Sequence, residues 1–137
     1  KRMIFEKGYR VGIFSNITEL ALEIISSKDP EIFETFDTSS PKVYSFQVGS
    51  VKPLPLIYEK IQNFDKVIFI DDKTSYLRTG IEKFGWSGIL FTPFIDEAEA
   101  FRADPVHNNP DKCSKNFSIA NSLDELISSL KGFGVRI

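Results

Sequence analysis

The sequence predicts an α/β fold built on a mainly parallel sheet with helices on both sides of it. Three observations carry that expectation. The runs KVIFI (66–70) and GILF (88–91) are apolar throughout, as strands covered on both faces are. Segments with apolar residues at helical spacing alternate with such runs. The alternation repeats along the chain, which implies strand–helix–strand units.

The elements follow in order. KRMIFEKGYRVGIF reads as the tail of a helix, a stop at Gly8 and a strand over 10–14. Asn16 with Glu19 three residues on gives a capping-box-like helix start. Ile17, Leu20, Ala21, Ile24 and Ile25 form one apolar face of that helix, and Asp29-Pro30 ends it. PEIFETF is a short helical turn, DTSSP a loop, and KVYSF a short strand. In GSVKPLP, Gly49, Pro53 and Pro55 exclude a regular element, and the Pro-rich end leads into a helix over 56–64. After the strand at 66–70, Leu77, Ile81 and Phe84 give the next helix its face and Gly85 stops it. GILF is a strand, 96–103 a short helix, and a polar loop follows. Ser122 and Glu125 form a capping box on a final helix whose face is Leu123, Leu126, Ile127 and Leu130.

A chain of 137 residues predicts one domain with a real core. The net charge of −2, with basic residues scattered along the chain, argues against nucleic acid or an anionic membrane as partner. No apolar run approaches the length of a membrane span, and no leader pattern opens the chain. The single cysteine, Cys113, excludes an internal disulfide and suits the reducing cytoplasm. The opening, helix-like and without an initiator Met, reads as the middle of a fold.

Chemistry concentrates at strand ends. KVIFI runs into two adjacent carboxylates, Asp71 and Asp72. Like charges side by side repel unless a cation or solvent offsets them, and Mg²⁺ is held by one or two carboxylates with waters and a phosphate. The plain alternative is that Asp72 caps the next helix while Asp71 faces water. VGIFSN places Ser15 and Asn16 at the end of an earlier strand, where N–H groups of the following helix would add anion donors. Lys52, between Gly49-Ser50 and Pro53, is a point charge suited to neutralising a phosphate. A hydroxyl, a lysine and an acidic pair on three successive strand-to-helix corners make a phosphoryl-transfer constellation.

On these residues the chain resembles the haloacid dehalogenase (HAD) superfamily, mostly Mg²⁺-dependent phosphatases. VGIFSN is similar to its second motif, GSVKPLPLIYEKI to its third, and KVIFIDDKTSYLRTGIEKFGWSGILF to its fourth; FSIANSLDELISSL resembles its closing strand and helix. The resemblance implies a three-layer, Rossmann-like domain. It also implies Ser15 and Asn16 as substrate-binding residues, Lys52 as a catalytic charge neutraliser, Asp71 and Asp72 as ligands of Mg²⁺, and a small phosphorylated substrate. The family's first motif, Asp-x-Asp-x-Thr/Val, is absent from the chain. Its first Asp is the nucleophile that forms an aspartyl-phosphate, and it sits on the N-terminal central strand. The resemblance therefore implies a sheet lacking its middle, with open edges that a missing segment or a partner chain would complete. A chain without that Asp is expected to be inactive alone, either as a truncated hydrolase or as a degenerate member. Two smaller departures are Leu54 and Tyr76, at positions where the family often has Asp, and Asp or Asn, respectively. The stretch from Ser15 to Lys52 is too short for a large cap domain.

Three other readings compete. A receiver domain also places an acidic pair at a strand end, but no later apolar strand here ends in a phospho-accepting Asp. A non-catalytic interaction scaffold would use some of the 13 Phe residues, such as Phe91, Phe94 and Phe101, as an exposed patch. His107 and Cys113 fall short of a zinc ligand set. Trp86 is expected to pack.

Overall fold

The computed structural model describes residues 7–34, 36, 40–94 and 115–137. The chain forms two compact units, Lys1–Gln62 and Asn63–Ile137. Both are α/β with parallel strands.

In the first unit Lys7 is helical and Gly8 adopts φ 70°, so the stop falls at the expected glycine. Strand β1 is Ile13–Ser15, followed by helix α1, Glu19–Lys28, and the single turn α2, Pro30–Glu34. Strand β2, Lys42–Tyr44, pairs in parallel with β1, with Ser15 opposite Tyr44. Two short helices follow, α3 (Ser45–Val48) and α4 (Pro55–Tyr58). Ile57 and Tyr58 are fully buried, and the Tyr58 ring meets Phe14 edge-on at 4.9 Å.

Several boundaries depart from the sequence expectation. The N-cap of α1 is Thr18, whose hydroxyl accepts the Ala21 N–H at 3.2 Å. Asn16 cannot cap because its amide is engaged elsewhere. The apolar face of α1 is exposed: Leu20, Ile24 and Ile25 are open to solvent and no residue of the helix is buried. The helix expected over 56–64 gives out after Tyr58. The chain tightens there into three-residue turns, Lys60 N–H to Ile57 O and Ile61 N–H to Tyr58 O, and Asn63 takes φ 65°.

The second unit holds β3 (Ile68–Asp71), α5 (Thr74–Phe84), β4 (Ser87–Phe91), β5 (Phe117–Ala120) and α6 (Leu123–Gly132). Its strands are parallel in the order β3-β4-β5. Strand β4 lies in the middle, and Ser87 to Leu90 are buried. Helix α5 presents Leu77 and Gly80 to the interior and ends at Gly85, φ 69°. Trp86 packs as expected, edge-on to Phe69 at 6.0 Å and tilted against Phe84 at 5.5 Å. Only Gly fits at position 80, because a Cβ there would stand 2.7 Å from the indole. Ser122 caps α6 through the Glu125 N–H, while the Glu125 carboxylate accepts from the Asn121 N–H at 2.7 Å instead of closing back on Ser122.

Strand β3 corrects one expectation. Its all-apolar sequence suggested cover on both faces, yet Ile70 is 40% exposed while Phe69 is buried. Among the described strands, β3 pairs only with β4 and β1 only with β2. Phe94 is almost fully exposed. The helix expected over 96–103, Phe101, His107 and Cys113 lie outside the described residues. Among the described residues, no helix is long and apolar enough to cross a membrane.

Candidate functional site

Ser15 and Tyr44 mark the carboxyl end of the first unit's sheet, the end at which parallel α/β sheets place their ligands. Three of the residues singled out in the sequence meet there. Ser15 closes β1 and is half-buried. Lys52 arrives from the loop after Gly49, which takes φ 69° to turn the chain. Its side chain is buried, with Nζ donating to the Phe14 carbonyl at 3.0 Å and lying 5.1 Å from the centre of the Phe14 ring. The ring face and the carbonyl dipole both favour a cation at that point. Asn16 grips the backbone of the same lysine: its Oδ1 accepts the Lys52 N–H at 2.7 Å and its Nδ2 donates to the Lys52 carbonyl at 3.0 Å.

Ser45, which the sequence reading passed over, belongs to this cluster. Its hydroxyl accepts the Ile17 N–H at 2.9 Å and donates to the Ile17 carbonyl at 3.0 Å. The local sequence carried only a faint signal, a serine directly after the apolar pair of a short strand. Its use removes the Ile17 N–H from the donors expected to face an anion, and Thr18 removes that of Ala21.

The acidic pair lies at the equivalent end of the second unit's sheet. Asp71 is the last residue of β3 and half-buried, and its Oδ1 accepts the Lys73 N–H at 3.1 Å. Asp72 is exposed. The plain alternative for Asp72 does not hold: the N-cap of α5 is Lys73, whose own side chain makes no capping bond. The Tyr76 ring, at a position where the resembled family often has a carboxylate or an amide, instead lies beneath Lys73 Nζ at 5.2 Å. The Thr74 hydroxyl at the first turn is buried with no hydrogen-bond partner among the described residues. At the ends of β4 and β5, the Thr92 hydroxyl donates to Asn121 Oδ1 at 2.6 Å, so this rim of the sheet is polar.

Asp71 and Asp72, adjacent in sequence, are the residues that could hold a cation such as Mg²⁺, which binds through one or two carboxylates and keeps several waters. They do not form a closed protein cage, and among the described residues no group of three or more His, Cys, Asp or Glu converges. A cavity of about 570 Å³ lies at the opposite end of the same sheet, among Lys66, Phe84, Trp86, Lys115 and Phe133. None of Ser15, Asn16, Lys52, Asp71 and Asp72 lines it.

No family model, curated protein or solved structure matches this chain.

Proposed function

We propose that the chain is the phosphate- and magnesium-handling part of a HAD-like hydrolase acting on a small phosphate ester. The buried ammonium of Lys52, fixed at the carboxyl end of β1 beside Ser15, is the observation that carries this reading. A buried lysine is costly unless its charge is paired or hydrogen-bonded, and the Phe14 carbonyl and ring hold this one at the strand end. At this place it neutralises a phosphoryl group, with the Ser15 hydroxyl as donor. In the second unit Asp71 and Asp72 are the residues that would hold Mg²⁺, which when bound would supply positive charge at the end of β3. The nucleophilic Asp, whose attack on phosphorus would release the alcohol and form an aspartyl-phosphate for water to hydrolyse, is not among the 137 residues. The three-layer arrangement and a cytoplasmic setting belong to the same proposal.

A missing segment or a partner chain supplies the absent strand. Support comes from β3, which among the described strands pairs only with β4, and from Ile70, exposed on a strand whose sequence is that of a covered one. A second reading is a scaffold that binds without catalysis, which the exposed Phe94 and the exposed face of α1 favour.

Calorimetry tests the assignment on the chain as it stands. Mg²⁺ is expected to bind the wild type and to bind Asp72→Ala at least tenfold more weakly, since one of two ligand carboxylates is lost. Inorganic phosphate is expected to lose affinity for Lys52→Met. Equal affinities in both pairs would leave the scaffold reading in place.

A further inference from the structure

The chain leaves the sheet at Ser15, yet α1 does not begin until Glu19. The Thr18 carbonyl serves the helix by accepting the Leu22 N–H, while the half-buried backbone of Ile17 lies outside ladder and helix and needs a partner. Two side chains tie this stretch down. On one side Ser45, at the point where β2 has ended, takes both backbone groups of Ile17 with a single hydroxyl. A hydroxyl has one proton to give, so its donor capacity is spent. On the other side the Asn16 amide takes both backbone groups of Lys52, as a neighbouring strand would, across 36 residues of sequence. Lys52 Nζ then returns to the Phe14 carbonyl, closing a ring of contacts around residues 14–17.

We propose that Asn16 and Ser45 are positioning residues, which lock the turn between Ser15 and α1 and hold Lys52 in register with it without touching the ligand. The proposal rests on the reading of Ser15 and Lys52 as phosphate-handling residues and assigns Asn16 a different role from the substrate contact expected from sequence. The Asn16 Oδ1 and one Nδ2 proton are committed to Lys52, and Ser45 is buried behind the turn. With the turn locked, Ser15 and Lys52 arrive already arranged, and binding does not have to order them.

The test reads Lys52 itself. Acylation of each lysine by an amine-reactive reagent is followed by mass spectrometry in the 137-residue chain and its variants. Asn16→Ala is expected to raise the Lys52 rate about tenfold, the factor for roughly one net hydrogen bond, while exposed Lys42 and Lys60 keep theirs. Ser45→Ala is expected to raise it as well, and Ser45→Thr, which keeps the hydroxyl, to restore the wild-type rate. Unchanged Lys52 rates in both alanine variants would overturn the proposal. Should the variants unfold, with every lysine reacting as in denatured chain, wild-type NMR decides. The bonded Nδ2 proton of Asn16 is expected to exchange about tenfold more slowly than those of Asn63, which is exposed as Asn16 is, and equal rates would overturn the lock. Phosphate affinity that is the same in wild type and Lys52→Met would end the phosphate reading while leaving the lock standing, so the two failures are distinct.

Discussion

Asn16 and Lys52 are joined by two hydrogen bonds of 2.7 and 3.0 Å that pair a side-chain amide with a peptide backbone 36 residues away. The pair explains two features at once. Asn16 does not cap α1, and the lysine loop, which has no regular structure of its own, is nonetheless held at a defined place beside β1. A side chain substitutes here for a strand.

Leu54 is a position where sequence and structure disagree to the molecule's cost. It is the N-cap of α4, extended at φ −65° and ψ 135°, with no side-chain cap and 54% exposure. Leu54→Asp is expected to stabilise the first unit by about 0.5–1 kcal/mol by accepting a first-turn N–H. Urea unfolding measures this; a loss of stability would show that the leucine packs against something that matters.

Two glycines of the second unit should respond in opposite senses to alanine. Gly80→Ala gains helix propensity but drives a methyl to 2.7 Å from a Trp86 ring wedged between Phe69 and Phe84, so a net loss of about 1–3 kcal/mol is expected. Gly132→Ala meets nothing within 4 Å at the end of α6 and should gain about 0.5 kcal/mol. Thermal melts followed by Trp86 fluorescence separate the two, and a stabilising Gly80→Ala would refute the packing described for the indole.

Strand β3, which among the described strands pairs only with β4, and the exposed Ile70 predict self-association that rises with protein concentration. Ile70→Lys is expected to suppress it, because a charge on an edge strand disfavours pairing. Sedimentation velocity over a concentration series is the measurement. Identical profiles for the two proteins would mean the edge is not the sticky surface.

Burial pushes the Tyr44 phenol above its ordinary 10.0, since the interior disfavours the phenolate. The folded chain therefore holds this proton to higher pH than the unfolded chain does. Its stabilising contribution is complete below the ordinary value and is lost as pH rises through the raised one. An alkaline stability series should show a decline that is smaller in Tyr44→Phe. The same decline in both would place its origin elsewhere.

Much of this was legible in the residues alone because it is decided within a turn or two of chain. Gly8 and Gly85 take the left-handed backbone that ends a helix, and Ser122 offers its hydroxyl to the third N–H on. The apolar runs at 66–70 and 88–91 overlap the parallel strands Ile68–Asp71 and Ser87–Phe91, and the acidic pair falls at a strand's carboxyl end. What only the tertiary structure decided involves a choice among distant partners. The Asn16 amide could have capped a helix next to it, and it binds Lys52 instead. The Ser45 hydroxyl sits across 28 residues from the backbone it satisfies. Ile70 reads as a buried strand residue, but its burial depends on a neighbour that no local pattern can supply. Local periodicity states which face of an element is apolar; whether that face, or a polar side chain upon it, finds its partner is a property of the assembled chain.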